Sequence, residues 1–191
     1  QHVVGWEARR KQYVEMMEQV METVTAMRQA GLDIPTVTGG GTGTYDINSE
    51  IDGMTDIQAG SYVFMDDNYR DVGGRLGPVF NDFDSSLFVL ATAISQPVQG
   101  QITVDAGIKA FATDKEPPHL RDFKGVAYRF GGDEHGILNF TESSEPITVG
   151  DKVRLTIPHC DPTVNLYDHL HVVRGEQVSE VWPIAGRGRS Q

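Results

Sequence analysis

The sequence predicts two parts of unlike texture: the C-terminal part of an α/β barrel or parallel sheet over residues 1–75, then an all-β domain over residues 76–191. Three observations predict it. A long helical stretch leads into a strand, a glycine-rich loop and a second strand. From Leu87 onward the chain is a succession of short β-rich runs parted by turn residues. Finally, parallel sheets are covered on both faces, so two strands alone do not make one, and the first part expects its other strands from elsewhere in a longer polypeptide.

From about Trp6 to Ala30 one long helix is expected. Tyr13, Met17, Val20, Val24 and Met27 step by four and three residues, the spacing of a single helical face. Glu7, Arg9, Arg10, Lys11, Glu15, Glu18, Gln19 and Arg28 fill much of the rest, and Gly31 stands where a left-handed cap ends a helix. Met16, Met17, Met21 and Met27 read as core filler. Residues 34–38 (IPTVT) are β-prone, residues 39–45 (GGGTGTY) form a loop, and residues 55–65 (TDIQAGSYVFM) read as a second strand. A short helix or loop is expected between the two strands. The boundary falls near Gly73 to Pro78. Beyond it, strands are expected at 87–94, 101–105, 125–130, 136–140, 152–157, 169–173 and 177–184, in a sandwich- or barrel-like arrangement. Turns at 99–100, 131–133, 149–151 and 174–176 separate several of them.

Composition narrows the function classes. The 191 residues include 27 acidic and 16 basic side chains, a net charge of −11, and a single cysteine. One cysteine excludes an internal disulfide framework and fits a reducing, cytoplasmic setting. No run approaches the 18 or more apolar residues of a membrane span. The acidic balance argues against a general nucleic-acid binder, because phosphate contacts need clustered Lys and Arg. The chain opens at Gln1 with neither Met nor a signal segment, which fits a piece of a longer protein.

Four stretches carry chemistry. Gly39 to Tyr45 follows a strand, its glycines free backbone N–H groups to face an anion, and Thr42 and Thr44 add hydroxyls. It lacks the Gly-Lys-Ser/Thr of a Walker loop and the third glycine of the dinucleotide fingerprint, and a tight loop without a ligand is the other reading. Gly60, in the middle of the second run, marks either ligand approach or a packing need. Residues 157–163 (IPHCDPT) would, if extended, project His159 and Asp161 to one face and Cys160 to the other. Imidazole plus carboxylate is a partial shell for a divalent cation, and a turn between two prolines is the alternative. Residues 131–136 (GGDEHG) place two carboxylates and an imidazole in a loop that is either a site edge or a solvated hairpin. His169 and His171 alternate with apolar residues and read as exposed or structural, and no base stands beside Cys160 to make it a nucleophile.

Taken in order, GGGTGTYD, DIQAGSYVFMD, TVDAGIKAFATD, GGDEHGIL, IPHCDPTVNLYD and VWPIAGRG resemble the C-terminal half of D-threonine aldolases, which group with D-serine dehydratases and D-3-hydroxyaspartate aldolases. The resemblance runs over nearly the whole chain. It implies an alanine-racemase-like fold, a TIM barrel that binds pyridoxal 5'-phosphate followed by a β domain with a metal site. It also implies a homodimer with active sites near the domain junction.

By the same resemblance, Gly41, Thr42, Gly43 and Thr44, with Gly60 and Ser61, match positions that hold the cofactor phosphate, and Tyr62 lies beside them. His159 and Asp161 match the aldolases' metal ligands. The dehydratase relatives carry His-x-Cys there, so Asp161 favours Mn²⁺ or Mg²⁺ over Zn²⁺ and the aldolase branch. Asp133 matches a residue close to the substrate, and His159 and Asp133 are the residues implied in catalysis. The family's Schiff-base lysine lies near the N-terminus of the full protein. None of Lys11, Lys109, Lys115, Lys124 or Lys152 matches its motif, so the rest of the polypeptide is expected to supply it. The implied activity is cleavage of D-threonine and related D-β-hydroxy-α-amino acids to glycine and an aldehyde. The alternatives are D-3-hydroxyaspartate cleavage to glycine and glyoxylate, D-serine dehydration, and a cofactor- or metal-binding module without turnover.

Overall fold

The amphipathic stretch at the start of the chain is helix α1 (Trp6–Gln29), and its ending follows from Gly31. Gly31 takes φ +87°, its N–H bonds the Arg28 carbonyl and the Leu32 N–H bonds that of Met27, the reciprocal pattern of a Schellman cap. The buried face differs from the expected stripe. Arg9, Tyr13, Met17 and Val24 are buried, whereas Val20 and Met27 are 39% and 40% exposed. The stripe assumed cover along the whole helix. The core that forms, Tyr13, Met17 and Ile47 with Trp6, Val14, Met21, Ile51 and Met54 around it, covers the helix mainly over its first two-thirds.

The computed structural model describes residues 2–141 and 146–189 and divides into two units between Ser86 and Leu87. In the first unit, β1 (Thr38–Gly39) and β2 (Asp56–Ile57) pair in parallel. Between them a 3-10 turn (Thr42–Thr44) runs into α2 (Tyr45–Asn48). The expected strand–loop–strand wiring is present but the strands are much shorter than expected. Residues 34–37 are not strand, and the run from Thr55 ends as strand at Ile57, so Gly60 is not mid-strand but leads a second 3-10 turn (Ser61–Val63). Each strand has one short neighbour, and without a ladder on its other side there is nothing to extend it. Among the described residues this pair is the whole of the parallel sheet, and no barrel is closed by it.

Helix α3 (Asp67–Arg70) is capped by Asp66, whose Oδ1 accepts from the Tyr69 N–H at 3.2 Å. Met65, Tyr69 and Phe80 then form a second core with Tyr45 and Phe83. Residues beyond the expected 75/76 boundary are tied back into this unit. The Phe80 N–H bonds the Arg70 carbonyl at 2.9 Å, and the Ser86 N–H bonds that of Phe64 at 3.0 Å. These bonds move the boundary to Ser86.

In the second unit all seven expected strands form: β3 (Phe88–Ser95), β4 (Gln101–Val104), β5 (Val126–Phe130), β6 (Gly136–Phe140), β7 (Lys152–Thr156), β8 (His169–Arg174) and β9 (Gln177–Pro183). The first five make an antiparallel sheet in the order β5-β6-β4-β3-β7, and β8 and β9 make a separate hairpin. The large sheet is curled. Leu120 bridges Leu155 on the free side of β7, and Val126 begins β5 at the opposite edge. Laid flat, that step would cross about 24 Å of interstrand spacing, more than the roughly 20 Å that six fully stretched residues reach. Ala91, Ala93, Ile102, Val104, Leu138, Val153 and Leu155 fill the inside of the curl, each at most 1% exposed. Helix α4 (Cys160–Val164) follows β7.

Candidate functional site

The first unit brings the expected anion-loop residues together. Thr42 and Gly43 open the 3-10 turn, where N–H groups have no partner within the turn. The Gly41 N–H donates to Thr44 Oγ1 at 3.3 Å, closing the loop on itself. The second segment is joined to it directly, because the Tyr62 N–H donates to Thr42 Oγ1 at 3.0 Å. Gly60 faces open space, since a Cβ built on it meets nothing within 4 Å. A glycine-lined backbone corner with leading N–H groups and room beside it fits a phosphate.

A buried polar cluster backs this loop, and sequence reasoning did not find it. Tyr13 Oη donates to Asn48 Oδ1, and Thr44 is a further hydrogen-bond partner of Tyr13. Burial pushes the Tyr13 phenol above its ordinary range. Gly40 has φ +73°, and a Cβ there would lie 3.2 Å from both Asn48 Cγ and Tyr13 Oη, so backbone and space both require glycine. Tyr13 was legible only as a core position on a helical face. Tyr62 stacks at a tilt on Phe83, centroids 5.3 Å apart, and Phe83 on Tyr45 at 5.2 Å. Tyr45 donates to Asp82 Oδ2 at 2.9 Å, and burial followed by that carboxylate pushes its phenol up to about 12.

In the second unit His159 and Asp161 come together by a route different from the one expected. His159 is extended, with φ −145° and ψ 120°, but Cys160 starts α4, so the segment is a helix entry and not a strand. Pro162 suits that entry, because the first turn of a helix needs no N–H from it. The result places His159 Nε2 and Asp161 Oδ2 3.5 Å apart, while Cys160 is buried.

Asp114 occupies the other side of the same imidazole, with Oδ2 2.7 Å from His159 Nδ1. The His159 hydrogen bond, its largest influence, holds the Asp114 carboxyl below the usual carboxylate range. An ionised carboxylate only accepts, so Nδ1 carries the proton and donates. In the neutral imidazole the Nε2 lone pair then faces Asp161, another acceptor. Two acceptor atoms facing each other at this distance attract a cation. Their 3.5 Å separation leaves room for one divalent ion to contact both atoms. Among the described residues no group of three or more His, Cys, Asp or Glu is placed to hold a metal, so the pair would need water or substrate to complete a shell. Nothing in local spacing pointed to Asp114, which stands 45 positions from His159.

Asp133 is fixed through its backbone. The Ile108 N–H bonds the Gly132 carbonyl at 3.1 Å, the Lys109 N–H bonds that of Asp133 at 2.9 Å, and Lys109 Nζ pairs with Glu134 Oε1 at 2.8 Å. The contact is close enough to demand glycine at 107, where a Cβ would sit 2.4 Å from the His135 nitrogen and 2.5 Å from the Gly132 oxygen. The Asp133 side chain is exposed, and no hydrogen bond or ion pair joins it to His159 or Asp161. His169 and His171 are exposed on β8, as expected.

A family model described as "Putative serine dehydratase domain" matches residues 86–173. The chain is similar to the D-threonine aldolase of an Arthrobacter species, 38% identical over 165 residues that make up 86% of this chain and 43% of the aldolase. It is also similar to the 3-hydroxy-D-aspartate aldolase of Paracoccus denitrificans, 35% identical over 191 residues, 99% of this chain and 49% of that protein. The crystal structure of D-threonine aldolase from Filomicrobium marinum matches with a TM-score of 0.92 and 34% identity, over 100% of this chain and 52% of that one. The chain thus spans about half the length of the curated relatives it matches.

Proposed function

We propose that the chain belongs with the D-threonine aldolases, grouped with 3-hydroxy-D-aspartate aldolases and serine dehydratases, and that the protein containing it is a carbon–carbon lyase, a reading supported by its similarity to these proteins. Its substrates are D-threonine and related D-β-hydroxy-α-amino acids, cleaved to glycine and an aldehyde with pyridoxal 5'-phosphate and a divalent cation. We place it in the cytoplasm as a homodimer. Among the described residues no helix is long and apolar enough to cross a membrane.

Pyridoxal phosphate, when bound, supplies an electron sink for the charge left on the α-carbon. Gly41, Thr42, Gly43 and Thr44, with Gly60, Ser61 and Tyr62, would form the corner that holds its phosphate, through hydroxyls and the N–H groups that the loop leaves open, the Gly41 and Tyr62 N–H groups being already donated to Thr44 and Thr42. A divalent cation, when bound, lowers the pKa of the substrate's β-hydroxyl or orients the base that takes its proton. His159 Nε2 and the Asp161 carboxylate are its ligands, and this nitrogen–oxygen set favours Mn²⁺ or Mg²⁺, with Zn²⁺ the softer alternative. Asp133, on a loop whose backbone is pinned to Ile108 and Lys109, is the residue that would stand close to the substrate. The Schiff-base lysine comes from outside these 191 residues.

The observation that carries the reading is the facing of His159 Nε2 and Asp161 Oδ2 at 3.5 Å, two acceptors when the imidazole is neutral. Asp161 also favours the aldolase over the dehydratase reading, whose members carry cysteine at that place. Cleavage of D-3-hydroxyaspartate is the second reading, supported by the relative that matches nearly the whole chain. The test uses the full-length protein, stripped of metal by a chelator and assayed for glycine release from D-threonine and from D-3-hydroxyaspartate. Activity lost on stripping and regained with Mn²⁺ supports the proposal, and the faster substrate decides between the two aldolases. An unchanged rate after stripping rejects the metal role.

A further inference from the structure

We propose that Asp114 is a positioning residue that locks His159 in the tautomer offering its Nε2 lone pair to a divalent cation. This rests on reading His159 and Asp161 as cation ligands.

Exposed ion pairs are often incidental, so the bracing around Asp114 matters. The chain just before it is anchored to the helix that His159 leads. The Ala112 N–H donates to Thr163 Oγ1 at 3.0 Å in a buried bond, and Tyr167 Oη donates to the Ala110 carbonyl at 2.9 Å. Phe111, 2% exposed, is seated edge-on against Tyr128 and Phe130. The 2.7 Å separation between Asp114 and His159 thus joins two segments already fixed to each other, and it is the length of a charge-assisted hydrogen bond.

For the neutral imidazole the tautomer follows from the two distances. With the proton on Nε2, the imidazole would donate toward Asp161 across 3.5 Å and leave Nδ1 and Asp114 as two acceptors only 2.7 Å apart. With the proton on Nδ1, the short contact is a hydrogen bond and the long one is open to a cation. Histidines that bind metals are commonly oriented this way by a carboxylate on the far nitrogen.

The test uses the full-length protein. In the metal-free wild type, the ¹⁵N spectrum of His159 at neutral pH should show a protonated Nδ1 and an unprotonated Nε2. The reverse, or two protonated nitrogens, overturns the proposal without any variant. Asp114→Ala should weaken Mn²⁺ binding about 10- to 100-fold, measured by titration of free Mn²⁺, and should mix the two tautomers. Asp114→Asn keeps an acceptor oxygen without the charge and should recover the tautomer and part of the affinity. Wild-type Mn²⁺ affinity in Asp114→Ala, with binding lost in His159→Ala and Asp161→Ala, overturns the role of Asp114 and leaves the ligand pair standing. Wild-type affinity in His159→Ala and Asp161→Ala overturns the ligand pair, and this inference with it.

Discussion

Among the described residues the pairs Thr38–Asp56 and Gly39–Ile57 are all the parallel pairing in the first unit, whereas in the second β3 and β7 match over five successive residues, Phe88–Thr156 to Thr92–Lys152. The first unit is held instead by side chains reaching across sequence. Buried Arg9 donates to the carbonyls of Val3, Val72 and Gly73, Trp6 donates to Asp46 at 2.7 Å, and Tyr13 donates to Asn48. In the second unit backbone ladders and a closed apolar interior do that work. A polar network can form without strand neighbours, because its bonds link side chains to groups within the same unit. A parallel sheet does not, because every inner strand needs two partners.

The largest expected effect tests whether the first unit is complete enough for chemistry. Residues 1–191 expressed alone and supplied with pyridoxal phosphate and Mn²⁺ should release no glycine from D-threonine. Measurable release would assign the Schiff-base role to a lysine of this chain. In the full-length protein, His159→Ala and Asp161→Ala should each abolish Mn²⁺-dependent turnover while leaving the absorbance of bound cofactor intact. Cys160→Ala should keep that turnover and cost about 1 kcal/mol in stability, because its side chain is buried.

Glycine substitutions separate the units next. Gly107→Ala drives a methyl group into backbone atoms at 2.4 to 2.8 Å, and should lower stability by about 3 kcal/mol or more in denaturant unfolding. Gly60→Ala meets nothing within 4 Å at an ordinary φ of −124°, so it should unfold like wild type. Its effect should appear as weaker binding in a titration with pyridoxal phosphate. Normal affinity there would make the loop structural.

Amide exchange should show the contrast directly. Amides of β1 and β2 should exchange orders of magnitude faster than those of Ala91, Val104 and Leu138 in the sheet interior. Equal protection would mean that the side-chain network stabilises as well as the ladders do.

The same contrast explains what was legible in the sequence. Strand β3 was expected at 87–94 and lies at 88–95, because its partners β4 and β7 are in the chain and its alternation meets a real interior. The run at 55–65 carries similar β propensity but forms two residues of strand, because propensity cannot supply a partner. Val20 and Met27 fit a helical period yet are exposed, since period reveals a face and not how far along it cover extends. His159 and Asp161 were legible as a pair by spacing. Asp114 was not, because the curl of the sheet and the anchoring at Thr163 bring it to His159, and neither leaves a local pattern.

The smallest effects lie at opposite ends of the pH scale. In the second unit the Asp151 carboxylate accepts from the Thr148 N–H at 2.7 Å and its hydroxyl at 2.9 Å, which holds its pKa below the usual value. A depressed carboxylate contributes stability above the unfolded pKa of about 4, and loses it as pH falls through the folded value. The thermal midpoint should therefore drop less steeply on acidification in Asp151→Asn than in wild type. In the first unit Tyr45 is held neutral by burial and by donation to Asp82, with its pKa raised to about 12. Its contribution is full below the unfolded phenol pKa of about 10, and is lost as pH rises toward 12. Ultraviolet titration should show Tyr45 ionising at lower pH in Asp82→Ala, where the acceptor and its charge are gone, than in wild type, with burial still holding it above an exposed phenol. If Tyr45 ionises early in both, the Tyr45–Asp82 bond contributes nothing in solution. The side-chain network of the first unit would then rest on Arg9, Trp6 and Tyr13.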